Sequence, residues 1–558
     1  MRSAGLQELV LGGFEVFKDV TRIPIRPLTL LFGPNSAGKS AVEEALTLLG
    51  EICDIPTHYE TENRIPFDWD RLHRAKRLAK SWRRETGDAS DFAPEMVIGG
   101  VAIIGAEELV FGQMPSSSYG SGITIERLRG PFTMELVARF RRLVVKGDQQ
   151  FHAKWQPDAD YFGLASRDIE LTIDGDRLVI FEDGKRAGVN FGHSFMSAAR
   201  ISKDILNTSQ QADSEIVIDG SWVWLVHGAE LDEQKQLDFS SSFAEIDSAP
   251  GRRALHFALR ELSSAFNAVL PACCRILADI LRAEIVPASR VVPAEEDLAF
   301  LIGDGQTAQT QFHIRLPGDP RYGALAASFA ATLRPKFEEP EYNELTALEC
   351  SYSERVNRAL TDHLFMERGY HLRMDYSVLL SPEEFKHVGK NPELKEFRPG
   401  EFRLFVRLFL ADAQSRRYAF TEVGSGLGYV LPVLAAACGG ANNLVLIQQP
   451  ELHLHPAMQA ALGDIFIEES HGRGTMIIET HSEHVLLRIL KRVRQKASNA
   501  LGDKLLSIEP DNIAVVYFDP RPDGTTAVKH LRISEDGEFL DRWPRGFFAE
   551  RDQELWDE

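Results

Sequence analysis

Gly33-Pro34-Asn35-Ser36-Ala37-Gly38-Lys39-Ser40 is the stretch that decides how this chain is read. It follows the apolar run Leu28-Thr29-Leu30-Leu31-Phe32 and precedes Ala41-Val42-Glu43-Glu44-Ala45-Leu46-Thr47-Leu48-Leu49. Strand, glycine-rich loop and helix follow in that order, and the loop fits G-x-x-x-x-G-K-[ST] without a mismatch. Gly33 and Gly38 let backbone amides turn inward, so the loop and the helix N-terminus can cradle an anionic phosphate. In this reading Pro34, Asn35, Ser36 and Ala37 complete the cradle. Lys39 reaches the β- and γ-phosphates, and the Ser40 hydroxyl holds Mg²⁺. The plainer alternative is a strand-to-helix turn with a chance lysine. Strand and helix both sit where the phosphate-binding mechanism needs them, which favours the nucleotide.

At 558 residues the chain has room for three or four cores of roughly 150 residues each. A hydrophobic content of 44% and a charged content of 26% are those of a soluble globular protein. Net charge is −20, from 62 Lys and Arg against 82 Asp and Glu. That balance argues against a protein that coats DNA over its whole surface, though not against a local basic groove. The five cysteines form no C-x-x-C pair, and adjacent Cys273 and Cys274 read as reduced core residues of a cytosolic protein. The first residues lack an apolar signal core and no stretch approaches 18 apolar residues. We therefore expect a cytoplasmic protein that does not span a membrane.

Along the chain, residues 6–17 alternate as a strand and turn, and helix one is expected over 40–52. As a helix, residues 70–84 would line up Arg74, Arg77, Lys80 and Arg84 on one face. Two readings stand for that face: a nucleic-acid contact, or a solvated surface paired with the chain's many carboxylates. Residues 95–225 read as mostly β, with short runs at 96–104, 123–127, 136–144, 169–173 and 178–181, and a flexible loop at 113–122. Helices are expected over 252–284 and 349–365, with a linker at 335–340 and a strand at 370–380. Regularity then returns. Strands are expected at 402–411, 418–422, 444–447 and 475–479, helices after 424, from Pro456 to 469 and over 482–497, and a hairpin around Pro522-Asp523-Gly524. Strand-helix-strand-helix implies parallel pairing through right-handed crossovers.

Four blocks, Gly33–Ser40, Glu422–Tyr429, Leu444–Pro456 and Glu479–Glu483, resemble an ABC-type ATPase head of the SMC/RecF-like kind. More closely, the chain resembles the OLD-like AAA-family ATPases common in bacterial antiphage defence. The texts that carry this are Glu422-Val423-Gly424-Ser425-Gly426, Pro450-Glu451-Leu452-His453-Leu454-His455-Pro456, Glu479-Thr480-His481-Ser482-Glu483-His484 and the tail Arg542-Trp543-Pro544-Arg545-Gly546-Phe547-Phe548. The likeness covers about 1–50 and 400–558. It implies an α/β fold: an ATPase head with a P-loop and a mixed sheet, its halves 1–52 and 396–558 separated by an inserted α+β region, 53–395. It also implies a homodimer or higher homo-oligomer around ATP and Mg²⁺. A separate nuclease or toxin effector and a DNA or phage-derived trigger belong to the same expectation. A DNA-maintenance machine and a non-hydrolysing scaffold are the alternatives.

Within that resemblance Ser425, Gly426 and Gly428 form the signature segment, offered across the dimer to the partner subunit's γ-phosphate. The residues alone equally allow glycine caps with no ligand. His481, just past an apolar strand, resembles the switch histidine that senses the γ-phosphate. His453 and His455, spaced i, i+2, read as interface residues of the loop after the Walker B strand rather than metal ligands. That strand carries the anomaly. It should end in a carboxylate that holds Mg²⁺ and then a residue that positions the attacking water, but Gln448 and Gln449 occupy those places. An amide brings no negative charge and cannot act as a base. Binding should survive, while hydrolysis should suffer by about 10²- to 10⁴-fold if the acid mattered. Glu451 is the nearest remaining acid in the sequence and a candidate substitute. No D-x-D run follows an upstream glutamate in the last hundred or so residues, so any nuclease is expected on another chain.

Overall fold

The computed structural model describes residues 5–53, 81, 83, 93, 95–104, 131–142, 164–182, 186–190, 216–219, 222–226, 273, 276–292, 299–302, 320–331, 352–366, 368–379, 403–420, 422–439, 444–471, 475–498, 500 and 506–544. The expected basic helix face of Arg74, Arg77, Lys80 and Arg84 lies outside these residues. So do the loop at 113–122, the strand at 123–127, the linker at 335–340 and most of the helix expected from 252.

Three strands open the chain, β1 (Gly5–Gly12), β2 (Thr21–Pro24) and β3 (Leu28–Phe32), followed by the glycine-rich loop and helix α1 (Ser40–Cys53). Two compact units divide the chain. The chain crosses from one to the other at Arg26–Pro27, Phe32–Gly33, Ala283–Glu284, Val515–Val516 and His530–Leu531.

The first unit holds an antiparallel sheet of β2, β1, β4 (Glu95–Ile104), β5 (Phe132–Arg142), β6 (Leu164–Ile173), β7 (Asp176–Glu182), β8 (Arg186–Asn190), β10 (Trp222–Val226) and β9 (Ile216–Asp219), in that order. Asp174 and Gly175, both at positive φ, make the two-residue turn between β6 and β7, and the Asp174 carboxylate accepts a bond from the Thr133 amide. α1 buries Ala41, Val42, Ala45, Leu46, Leu48, Leu49 and Ile52 along one face. Gly100 on β4 admits it, because a methyl there would come within 2.9 Å of Leu49 Cδ2.

The second unit is built on parallel strands. β16 (Leu444–Gln448) pairs with β17 (Thr475–Glu479), and β17 pairs with β3, both in parallel. β11 (Ala283–Val286) lies beyond β16. These core strands are continuous apolar runs, as burial on both faces demands. A smaller sheet in the same unit carries β12 (Ala299–Ile302), β14 (Arg403–Ala411), β13 (His371–Leu379) and, paired to β14, β15 (Arg417–Tyr418). Helices α2 (Pro320–Ala331), α3 (Ser425–Cys438), α4 (Pro456–Ser470) and α5 (Glu483–Ala497) belong to this unit. A hairpin of β18 (Ile513–Pro520) and β19 (Thr526–Leu531) closes the described chain apart from a short tail.

The mixed α/β class with parallel strands at its core is the one the sequence implies. Three local expectations need correction. The helix expected to 284 gives way to a strand at Ala283, where β-branched Ile285 and Val286 run up to Pro287. The helix expected over 349–365 turns π-helical over Ala359–Leu364. The strand expected over 418–422 ends at Tyr418, because Glu422 folds back to accept a bond from the Ala419 amide.

Candidate nucleotide-binding site

The glycine-rich loop belongs to the first unit, and its shape depends on positions that only glycine fits. Gly33 has φ 144° and a methyl there would meet the Phe518 carbonyl at 2.7 Å. Gly38 has φ 94° and a methyl there would meet Val16 Cγ2 at 2.3 Å. Ser36 is also left-handed, at φ 61°. The Thr526 hydroxyl donates to the Ala37 carbonyl at 2.9 Å, and the Thr526 amide donates to the Val16 carbonyl. The loop is therefore held between the β1–β2 connection and the terminal hairpin. Lys39 is buried, and its Nζ donates to the carbonyls of Gly33 and Pro34, each at 2.9 Å. The ammonium is thus folded over the curve of its own loop. Ser40 opens α1 and is exposed, as are Pro34, Asn35 and Ser36. A cradle that a Cβ would fill, with a cation inside it and a helix N-terminus behind it, fits a phosphate.

The second unit gathers the other candidates around the ends of β16 and β17. Gln448 and Glu479 are partners in the parallel register, so an acid that sequence reading did not single out ends the strand beside Gln448. Glu479 is buried. Gln448 Oε1 accepts a bond from the Ala288 amide at 3.1 Å. Gln449 sits at φ 44°, its amide donating to the Glu479 carbonyl at 2.7 Å.

Glu451 is buried in the turn after β16. Its Oε2 accepts from the Thr480 hydroxyl at 2.8 Å and its Oε1 from the His481 amide at 2.7 Å. Burial raises its pKa above the usual carboxylate value, against those bonds and the Arg290 charge, which lower it. Thr480 also donates through its amide to the Leu31 carbonyl and accepts from the Ser482 amide. Ser482 then caps α5 by accepting from Val485. The turn after β16 and the loop carrying His481 are therefore one hydrogen-bonded junction.

Gly426 and Gly428, the glycines expected to form a signature segment, pack inside the same unit. A methyl at Gly426 would meet the His453 carbonyl at 2.8 Å, and one at Gly428 would meet Val292 Cγ1 at 2.5 Å. Tyr429 lies over the His453 ring at 4.4 Å. Ser425 is the first residue of α3, after Gly424 at φ 82°. His455 caps α4 by accepting from the Ala457 amide. Among the described residues no cluster of three or more His, Cys, Asp or Glu could hold a metal ion. For Mg²⁺, the glycine-rich loop offers the Ser40 hydroxyl. That suits a cation whose negative ligands come from the nucleotide's own phosphates.

Residues 365–488 match a family model described as an AAA domain, putative AbiEii toxin, type IV toxin–antitoxin system. Over that stretch the chain is similar to an AAA-type domain. No curated protein matches the chain. Among solved structures, the Smc head domain with a coiled coil and joint from Pyrococcus yayanosii is 12% identical, with 100% of each chain covered and a TM-score of 0.37. The Smc head with an extended coiled coil from Pyrococcus furiosus, bound to the C-terminal domain of ScpA, is 12% identical over 95% of this chain and 97% of that one, with a TM-score of 0.37. The SMC head domain from Thermotoga maritima is 9% identical over 96% and 100%, with a TM-score of 0.33. At these values the functional reading rests on the loop geometry and the AAA match instead. Among the described residues no helix is long and apolar enough to cross a membrane.

Proposed function

We propose that the protein is an ATP-binding, slowly hydrolysing ATPase that associates with a second copy of itself when ATP and Mg²⁺ are bound, and uses that closure as a switch. The observation that carries this is the loop at Gly33–Ser40, in which two glycines at positive φ bring the backbone around the buried Lys39 ammonium. Lys39 and the loop amides take the phosphates, Ser40 takes Mg²⁺, and His481 reads the γ-phosphate. The amide-rich start of α3, Ser425 to Gly428, serves the nucleotide of the other copy. The antiphage role, with a separate nuclease or toxin as effector and a phage-derived or DNA trigger met by region 53–395, is the biological setting this switch suits.

The test is a calorimetric titration with Mg·ATP alongside light scattering. Wild type binds ATP and doubles in mass, whereas Lys39→Ala does neither. Unchanged ATP affinity in Lys39→Ala overturns the assignment of the loop. A second reading, a scaffold that binds ATP without turning it over, is favoured by one observation. The Walker B position holds an amide whose oxygen is already engaged by the Ala288 amide. ATP-driven association with no phosphate release would establish it.

A further inference from the structure

Arg290 stands in the loop after β11, within Pro287-Ala288-Ser289-Arg290, where no spacing or motif marks it. The structure buries it to 7% exposure. Its Nη1 donates to the Gln448 carbonyl at 2.6 Å and to the Pro287 carbonyl at 3.1 Å, and its Nη2 donates to the Gln449 carbonyl at 2.7 Å. The two nitrogens of one planar fork thus hold two successive carbonyls, those of the two Walker B glutamines. From the other side, the Gln449 amide donates to Glu479 and the Ala288 amide donates to the Gln448 side chain. Gln449 is gripped on both sides in a left-handed conformation, φ 44°, that a non-glycine residue adopts only when its surroundings impose it. Burial lowers the Arg290 pKa, and the charge of Glu451 acts against that. A buried cation directed at three carbonyls rather than paired in hydrogen-bonding contact with a carboxylate is an expensive device for filling space.

We propose that Arg290 is a positioning residue for hydrolysis, fixing the turn so that the Gln449 side chain is presented to the water that attacks the γ-phosphate. This rests on the ATPase reading above. A neutral amide contributes neither charge nor base, so geometry is all that Gln449 can supply, and geometry is what Arg290 controls. Lysine cannot replace it fully, since one ammonium lacks the rigid fork that spans two carbonyls.

The experiment is a double-mutant cycle on the full chain, with Mg·ATP binding by calorimetry and single-turnover phosphate release as separate readouts. Arg290→Ala is expected to bind ATP like wild type but to release phosphate about 10²-fold more slowly, the size of effect that follows a misplacement of about 1 Å. Arg290→Lys is expected to fall between the two. In a Gln449→Ala background, Arg290→Ala should then change the rate by less than about two-fold, because the residue it positions is gone. An equal loss in both backgrounds would mark a merely structural arginine and overturn the proposal. Unchanged turnover in Arg290→Ala would do the same, as would wild-type turnover no faster than that of Lys39→Ala while ATP is bound. If Arg290→Ala does not fold, Arg290→Lys carries the same cycle. Failure of wild type to bind ATP at all is a different result: it removes the ATPase reading, and this inference with it.

Discussion

Gly38 sits at φ 94° with Val16 Cγ2 2.3 Å from where a methyl would go, so Gly38→Ala meets both backbone strain and a clash. The strain alone costs about 1–2 kcal/mol, which is tenfold in affinity if the loop yields instead of the fold. We expect Gly38→Ala to melt within a few degrees of wild type while losing at least about tenfold in ATP affinity by titration. Retained affinity would show that the loop does not need its observed curve. Gln448 is the second test at this scale. Gln448→Glu keeps an acceptor for the Ala288 amide and restores a charge beside Glu479. Turnover should rise, within the about 10²- to 10⁴-fold range that one catalytic group commands. Equal phosphate release from both forms would mean that another group, with Glu479 the nearest in register, already supplies the charge. At this scale the sequence is informative where a motif fixes the backbone, as at Gly33–Ser40, whose glycines take positive φ. It is silent on Arg290, which meets Gln448 and Gln449 across 158 and 159 residues of chain and belongs to no local pattern.

Helices α4 and α5 are joined by a buried charge cluster. Asp464, 3% exposed, accepts from Arg488 at 2.5 Å and takes Arg492 in a bidentate pair at 2.7 and 2.8 Å. Gly463 next to it lets α5 approach, since a methyl there would meet the Val485 carbonyl at 3.0 Å. Asp464→Ala leaves two arginines without their shared carboxylate, which typically costs about 3–5 kcal/mol, or a fall in melting temperature of about 6–20 °C. A change of under two degrees in a thermal melt would show that water reaches the site. The β14–β15 turn gives the pH counterpart. Burial would raise the Asp412 carboxyl, but bonds from the Arg416 amide and guanidinium and the Tyr418 hydroxyl bring its pKa down to about 2. Its stabilisation is therefore present above the unfolded value of about 4 and lost as pH falls toward 2. Asp412→Asn should flatten the fall in the urea midpoint between those two values. Elements such as β16, β17, α4 and α5 were legible because long apolar runs and caps announce them. α2 was missed, its Pro320–Ala331 run broken by Gly323 and short of a clear apolar stripe. The π-turn at Ala359–Leu364 carries no local sequence signal that separates it from an α-helix.

For the whole molecule, if two copies associate as proposed, the acidic balance sets how they meet. Each carries −20, and Mg·ATP adds further negative charge, so approach is opposed by long-range repulsion that only short-range contacts can overcome. Salt screens the first and leaves the second largely intact, with a Debye length of about 30 Å at 0.01 M falling to about 10 Å at 0.1 M. ATP-driven association should therefore strengthen as salt rises over that range, opposite to an assembly held by attraction between oppositely charged faces. Nucleotide without Lys39 should give none at either salt. The proposed slow hydrolysis beside Gln448 and Gln449 would add a kinetic signature. The associated form should outlast removal of free ATP, and Gln448→Glu should shorten its lifetime in proportion to the gain in turnover, because hydrolysis is what releases it. Light scattering after dilution into nucleotide-free buffer measures both at once. A mass that stays monomeric at saturating ATP, or a lifetime that ignores the Gln448→Glu change, would leave a nucleotide-binding protein whose switch does not run through association with its own kind.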